Sequence, residues 1–496
     1  MVGQLIQFPR SASPRTACRD RRRGVASVLA MLFLVLFGTL ALGFYAMVTM
    51  AVATSRNELR THEARIAAES GLEFIQYHMQ RAQIVHVGPT QYMDELHANL
   101  FDAMDGSANL LVAGSSVALD ADDVIHIPET GYVALDDKGL AFRATITPLT
   151  TSVSTDQKVR VQIRGRSGYA QPYTYRVIDV EFLRRSASLD YGMATLGTFV
   201  TSGASHVYGA DLDGTANGPI ADVFSAAATT PAITMGGKTV GGDLYTVNSS
   251  ASAVSLAAGA SVGGTTNAAE IQADHIHRGM DRPEFPTVDS SKFVSFATTP
   301  MTAATAALAA NATLTNVRIL PAGSAVPAQV TLSGKTIKGV LYIQAPNNIR
   351  FDGGTMMEGI IVTDATPGSP TSNLLTFSGN VTMTGVESLN PATFGDLPNL
   401  GGSLILAPNF HITFTGTSGV AGGTMAGGQF TFSGNTGLNL HGSVIGLDPT
   451  KPMTVGGSGS ITIKPPTWNG VPTGLTFQKA TKGFQPVFST FSEVPQ

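Results

Sequence analysis

The residues of this chain that could do chemistry are few and thinly spread. Asp274-His275-Ile276-His277 is the best metal candidate. Alternate residues on a strand share a side, so His275 and His277 would face the same way, as imidazole ligands of zinc can. No obvious third ligand lies beside them. Asp211-Leu212-Asp213 is the nearest carboxylate pair of the kind glycoside hydrolysis needs, but Gly214 follows and makes a turn the better reading. Gly259-Ala260-Ser261-Val262-Gly263 matches the G-x-S-x-G pattern. A nucleophile elbow needs a strand before it and a helix after it, whereas Ala, Gly and Thr flank this one. Gly237-Lys238-Thr239 resembles the end of a P-loop, with Ala232 where the first Gly belongs. Between residues 353 and 477 the only Asp, Glu, Lys and Arg residues are Glu358, Asp364, Glu387, Asp396, Asp448, Lys451 and Lys464, with no close-spaced carboxylate pair. Trp468, the one tryptophan, reads as a buried anchor after Pro465-Pro466 or as an exposed platform for a sugar ring. This inventory predicts a protein that is not an enzyme and takes no metal or cofactor, with His275 and His277 as the weak exception.

The composition narrows the class further. Only 13% of the 496 residues are charged and the formal net charge is -4, so neither a basic nucleic-acid footprint nor a charge-rich disordered chain is present. The single cysteine, Cys18, excludes a disulfide framework, a Cys-based zinc site and a CxxC redox centre. The 54 glycines suit strands and turns better than helices.

The strongest signal lies in the first 83 residues. Arg10, Arg15, Arg19, Arg21, Arg22 and Arg23 face one acid, Asp20; then no charged residue occurs from Gly24 to Ser55. Val25 to Ala53 is almost wholly apolar, and a bilayer-crossing helix needs about 20 such residues. The basic block before it places the N-terminus in the cytoplasm. Three readings fit: a secretory signal cut near Ala51-Val52-Ala53, a plain membrane anchor, or a leader ending at Gly24 and removed before the apolar run. The stretch Thr54 to Gln83 has no Pro, and Leu59, Ile66, Leu72, Ile75 and Met79 recur at helical spacing. One helix is therefore expected over about 25–83, roughly 90 Å long.

Arg21-Arg22-Arg23-Gly24-Val25-Ala26, the leucine-rich span and the later Ala68-Glu69-Ser70-Gly71-Leu72 resemble the N-terminal region of PilX-type minor pilins and of the large K-type pseudopilin of type II secretion. The resemblance covers about a sixth of the chain. It implies cleavage between Gly24 and Val25 by a prepilin peptidase and methylation of the new N-terminus. It also implies partnership with other pilin subunits, the pilus assembly machinery and the membrane. Major pilins carry Glu at the fifth mature position, which here is Leu29; this departure favours a minor, priming or tip subunit. Cleavage would also remove Cys18.

Three further regions follow. Residues 84–186 predict a small antiparallel sheet: Leu140 to Leu149, Lys158 to Arg166 and Tyr173 to Leu183 read as strands, the last two joined by a turn over Ser167 to Pro172. The acids Asp120, Asp122, Asp123, Asp136 and Asp137 lack calcium-loop spacing and read as solvated turn residues. Residues 187–477 are rich in Gly, Ser, Thr and Ala. Leu375-Thr376-Phe377-Ser378-Gly379-Asn380 returns as Phe430-Thr431-Phe432-Ser433-Gly434-Asn435, with weaker relatives at Thr331–Gly334, Phe351–Gly354 and Phe414–Gly416. Irregular repeats of this kind predict a β-solenoid whose coils stack their apolar side chains; a β-sandwich is the structural rival. Ala303 to Ala310 is the one short helical candidate there. The Phe-rich tail, 478–496, is expected along the solenoid edge.

The fold class is thus α+β followed by all-β: leader 1–24, helix 25–83, sheet domain 84–186, β-helix-like domain 187–477 and tail. The leading function is a minor pilin or pseudopilin of a type IV pilus or type II secretion system. It would pass once through the inner membrane, with the β-rich domain periplasmic or extracellular and projecting for adhesion, surface glycans among its partners and nucleic acid excluded. The alternatives are a membrane-anchored carbohydrate-active β-helix enzyme and a structural envelope protein without a pilus link.

Overall fold

The computed structural model describes residues 23–82, 84, 91–106, 110, 116–149, 156–168, 171–210, 219–302, 311–323, 329–364, 372–416, 418–466, 468, 471–478 and 483–494. Its first element is one continuous helix, α1 (Arg23–Met79). The helix contains an 18-residue window of mean hydropathy 2.6, none of it buried, and is long and apolar enough to cross a membrane. Val25, Leu34, Phe37, Tyr45 and Val52 are among its exposed apolar side chains. Beyond Glu63 the surface changes. Ala64, Ala68, Ile75 and Met79 recur on one face and are buried. The helix ends at Met79, short of the expected residue 83.

That face lies on a twisted antiparallel sheet formed by β1 (Ala118–Leu119), β2 (Ile125–Ile127), β3 (Val133–Ala134), β4 (Ala141–Pro148), β5 (Gln157–Ser167) and β6 (Thr174–Arg184). The order is β1-β2-β4-β5-β6, with β3 beside β4. In β5, Val159, Val161 and Ile163 face the helix while Arg160 and Gln162 face solvent, the alternation a one-sided sheet requires. Helix and sheet approach closely because Gly165 has no side chain; a Cβ there would run into the Ala64 carbonyl oxygen and the Ala68 amide. A second helix, α2 (Gln91–Met104), was not expected. Its signal is present nonetheless, since Tyr92, Leu96, Leu100 and Met104 recur every four residues and are buried in the helix–sheet core.

The tail corrects an expectation. Gln485–Val494 does not lie along the repeat-bearing region; it pairs antiparallel with β6 and becomes the edge strand of the small sheet. Phe484, just before it, is fully buried in the helix–sheet core. The physical reason is that β6, like any edge strand, offers unpaired backbone groups along its open side, which an extended segment satisfies.

Apart from Thr287–Val288, which pairs antiparallel with Leu475–Thr476 in a sheet of its own, the remaining strands from Met193 to Lys464 belong to one sheet path in which every named strand pairing is parallel. They stack as ladders rather than as hairpins. The order is not that of the chain. Val444–Gly446, near the end, pairs with Met193–Thr195, at the beginning. From there the ladder continues through Val223–Ser225 and Leu244–Thr246 to Ile276–Arg278. At that end the chain leaves, and it re-enters at the opposite end with Thr299–Pro300 and Thr313–Ile319. It then winds inward until it meets its own first turn. The returning segment is apolar: Phe285, Phe293 and Phe296 pack with Tyr342, Val362 and Leu406 on the outside of one ladder and cover it.

The repeats seen in the sequence occupy equivalent rungs. Leu332, Phe351, Phe377, Phe414 and Phe432 are successive partners across the ladder. The four Phe rings stack with centroids 4.6, 4.7 and 5.1 Å apart and nearly parallel planes. This spacing is the strand spacing itself, about 4.8 Å. Ala303 to Ala310 lies outside the described residues.

Candidate functional site

Gly24 and Val25 lie in the first turn of α1, and Val25 is exposed. The motif Ala68-Glu69-Ser70-Gly71-Leu72 sits where the helix meets the sheet. Ala68 is buried, Leu72 packs on the helix–sheet core, and a side chain at Gly71 would strike Phe142 and Ile163. Glu69 points outward and pairs with Arg65 at 2.8 Å. The small residues of this motif therefore have a packing role: they let α1 lie close against β4 and β5.

His275 and His277 share a side, as strand alternation requires, and the structure brings a third group between them. Asp243 Oδ1 is 2.8 Å from His275 Nδ1, and Asp243 Oδ2 is 2.8 Å from His277 Nε2. Sequence reasoning missed Asp243 because it comes from the preceding turn of chain. The available signal was register. Asp222, Asp243 and His275 each immediately precede one of three paired strands, Val223–Ser225, Leu244–Thr246 and Ile276–Arg278. The same register stacks Tyr245 on His277, with centroids 4.4 Å apart. Among the described residues no group of three or more His, Cys, Asp and Glu side chains is arranged to hold a metal ion. Asp243 thus bridges the two imidazoles by hydrogen bonds.

Behind this bridge lies Asp222, only 2% exposed. Its Oδ1 accepts a hydrogen bond from the Asp243 amide at 2.8 Å, and Tyr245 also hydrogen-bonds its carboxyl. Burial, and then the neighbouring Asp243 charge, hold the Asp222 carboxyl well above the usual carboxylate range. Burial, followed by the two acids, pushes the Tyr245 hydroxyl up as well. The groups facing Asp222 are Asp243, Tyr245 and Tyr191, with His275 and His277 beyond Asp243.

A raised folded-state value means that the native chain holds the Asp222 proton more tightly than the unfolded chain does. Stability from this group is therefore full below the ordinary carboxylate range and is lost as pH rises through the raised value. Asp222→Asn keeps an acceptor oxygen without the charge. It should be more stable than the parent at pH 8 and close to it at pH 4, which urea unfolding at the two pH values will measure. An unchanged difference at both would show that Asp222 is not held neutral.

The other candidates are structural or lie elsewhere. Ser261–Val262 is a short strand beside Thr239–Val240 with left-handed glycines on both sides, Gly259 and Gly263, and it forms no strand–helix elbow. Lys238 and Thr239 lead into that neighbouring strand rather than into a helix. Asp211 and Asp213 fall outside the described residues. Trp468 is half-buried against Gly401 and Gly402. Asp120 and Asp136 accept backbone amide hydrogen bonds within their own turns, and Asp120 also reaches His126 at 3.0 Å.

No protein-family model matches this chain, and neither does any curated protein or solved structure.

Proposed function

We propose that this protein is a minor pilin or pseudopilin-like subunit. Its N-terminal helix is embedded in a membrane or filament, and its β-rich part is a non-enzymatic projecting domain for adhesion or contact. The observation that carries this reading is the continuity of α1: a bare apolar half and a half docked on a small antiparallel sheet form one unbroken rod. A rod of this kind can leave the bilayer and enter a helical filament core without refolding. The basic block up to Arg23 supports a cytoplasmic N-terminus, which puts the remainder outside the inner membrane. The parallel pairing throughout the large sheet and the stacked Phe rungs favour a β-solenoid over a sandwich, whose sheets are typically antiparallel.

Processing between Gly24 and Val25 is the direct test. Mass spectrometry of the protein from its native cell is expected to find an N-terminus at methylated Val25. A chain beginning at Thr54, or an intact Met1, would overturn the assignment.

A further inference from the structure

The outward rows of the parallel ladders differ in kind. One row, which includes Tyr342, Val362 and Leu406, is apolar and is covered by the returning segment. Another carries hydroxyls. Thr376, Thr413, Thr431 and Thr454 are successive partners, each half-buried between its neighbours, so one hydroxyl-bearing side chain recurs per rung at about 4.8 Å. Beside this row lies a cleft of about 270 Å³ whose polar lining includes Asn409, His411, Gln429, Asp448 and Lys451. His411 joins the two features: its Nε2 lies 3.0 Å from Thr431 Oγ1 and 3.3 Å from Thr413 Oγ1. On the far side, Pro408, Asn409 and Leu447 also border a second hollow that adds Phe285, Pro286 and the exposed Arg282, whose guanidinium carbon lies 5.5 Å from the centre of the Phe285 ring.

We propose that this cleft and the threonine row beside it bind an uncharged polysaccharide. One sugar ring would sit in the cleft, its hydroxyls meeting Asn409, His411 and Gln429 and its carbon–hydrogen face meeting Pro408 and Leu447. The chain would continue along the threonine row. The rung repeat is close to the rise of one hexose in an extended chain, so each step offers a hydroxyl to a hydroxyl. Charge supports a neutral partner: the row is uncharged from Thr376 to Thr454, Arg350 on the adjoining rung is paired with Asp352 at 3.1 Å, and the cleft's Lys451 is matched by Asp448. Burial, and then Lys451, hold the His411 imidazole below its ordinary value, which keeps it neutral near pH 7. Side chains that both donate and accept, next to an apolar face, are the lining small polar ligands require.

The inference rests on the adhesion reading and names its partner class. The test uses the full-length protein in detergent, in pull-down on insoluble cellulose, chitin and cross-linked dextran, with heparin and alginate as charged comparisons. Retention on at least one neutral polymer is expected. Thr376→Val/Thr413→Val/Thr431→Val preserves shape and strand preference while removing three hydroxyls, and His411→Ala opens the cleft. Each should weaken retention at least tenfold with the melting temperature of the triple variant unchanged. Retention only on heparin or alginate, unchanged retention in both variants, or adsorption to ice in place of the polymers would overturn the assignment. Cells that still adhere while displaying the triple variant would remove this face but leave the adhesion reading standing.

Discussion

Asp190→Ala should cost about 3–5 kcal/mol of folding free energy, the range seen when one member of a buried ion pair is removed. Arg184 ends β6 and is 3% exposed. Its Nη2 donates to Asp190 Oδ1 at 2.6 Å and to the Ile84 carbonyl at 2.9 Å, while Nη1 donates to Gln157 Oε1 at 3.1 Å. Asp190 Oδ2 accepts from the Ala187 amide at 2.9 Å and the Ser186 hydroxyl at 3.2 Å. The pair thus gathers the segment after α1, strands β5 and β6, and the entry to the parallel stack at one point. Alanine leaves the guanidinium buried without its counter-charge. The double variant Arg184→Met/Asp190→Ala should recover part of the loss, because no charge is then stranded. Urea midpoints of the parent, single and double variants will decide it. A single-variant loss under about 1 kcal/mol would show that the pair is not buried in solution.

Phe377→Ala is expected to be of similar size, about 3–5 kcal/mol, because it removes a fully buried aromatic side chain from a packed interior. Phe377 is 1% exposed and lies between Phe351 and Phe414, with planes inclined by 4° and 11°. A cavity there opens on rings above and below, and both stacking contacts go with it. Phe377→Leu keeps most of the volume and should cost clearly less. Thr376→Val, one residue away but pointing outward, should be near neutral. Denaturant unfolding of the three variants checks the ordering. Equal losses for Phe377→Ala and Thr376→Val would mean that the two sides of this strand are not distinguished as the ladder requires.

Several elements were legible in the residues because their determinants are local. The charge-free run from Gly24 to Ser55 is longer than the roughly 20 apolar residues a bilayer-crossing helix needs, and α1 covers it without a break. Alternation in Lys158 to Arg166 determines a one-sided strand. The Phe-Ser-Gly and Phe-Thr-Gly repeats mark equivalent rungs, since each needs an apolar residue inside and a turn after it. Helix α2 is equally local, since Tyr92, Leu96, Leu100 and Met104 recur every four residues.

Other features depend on which segments meet. Asp243 stands between His275 and His277 because two turns of chain stack in register, about thirty residues apart. The joining of the last turn to the first, the tail strand on β6, and the threonine row that emerges only when rungs are superposed are likewise invisible one segment at a time. Hydrophobic periodicity and backbone preference act over a few residues and so dictate elements. Which strand edge is left open, and which side chains come to share a row, follow from long-range pairing, where a shift of one residue would turn every side chain to the opposite face.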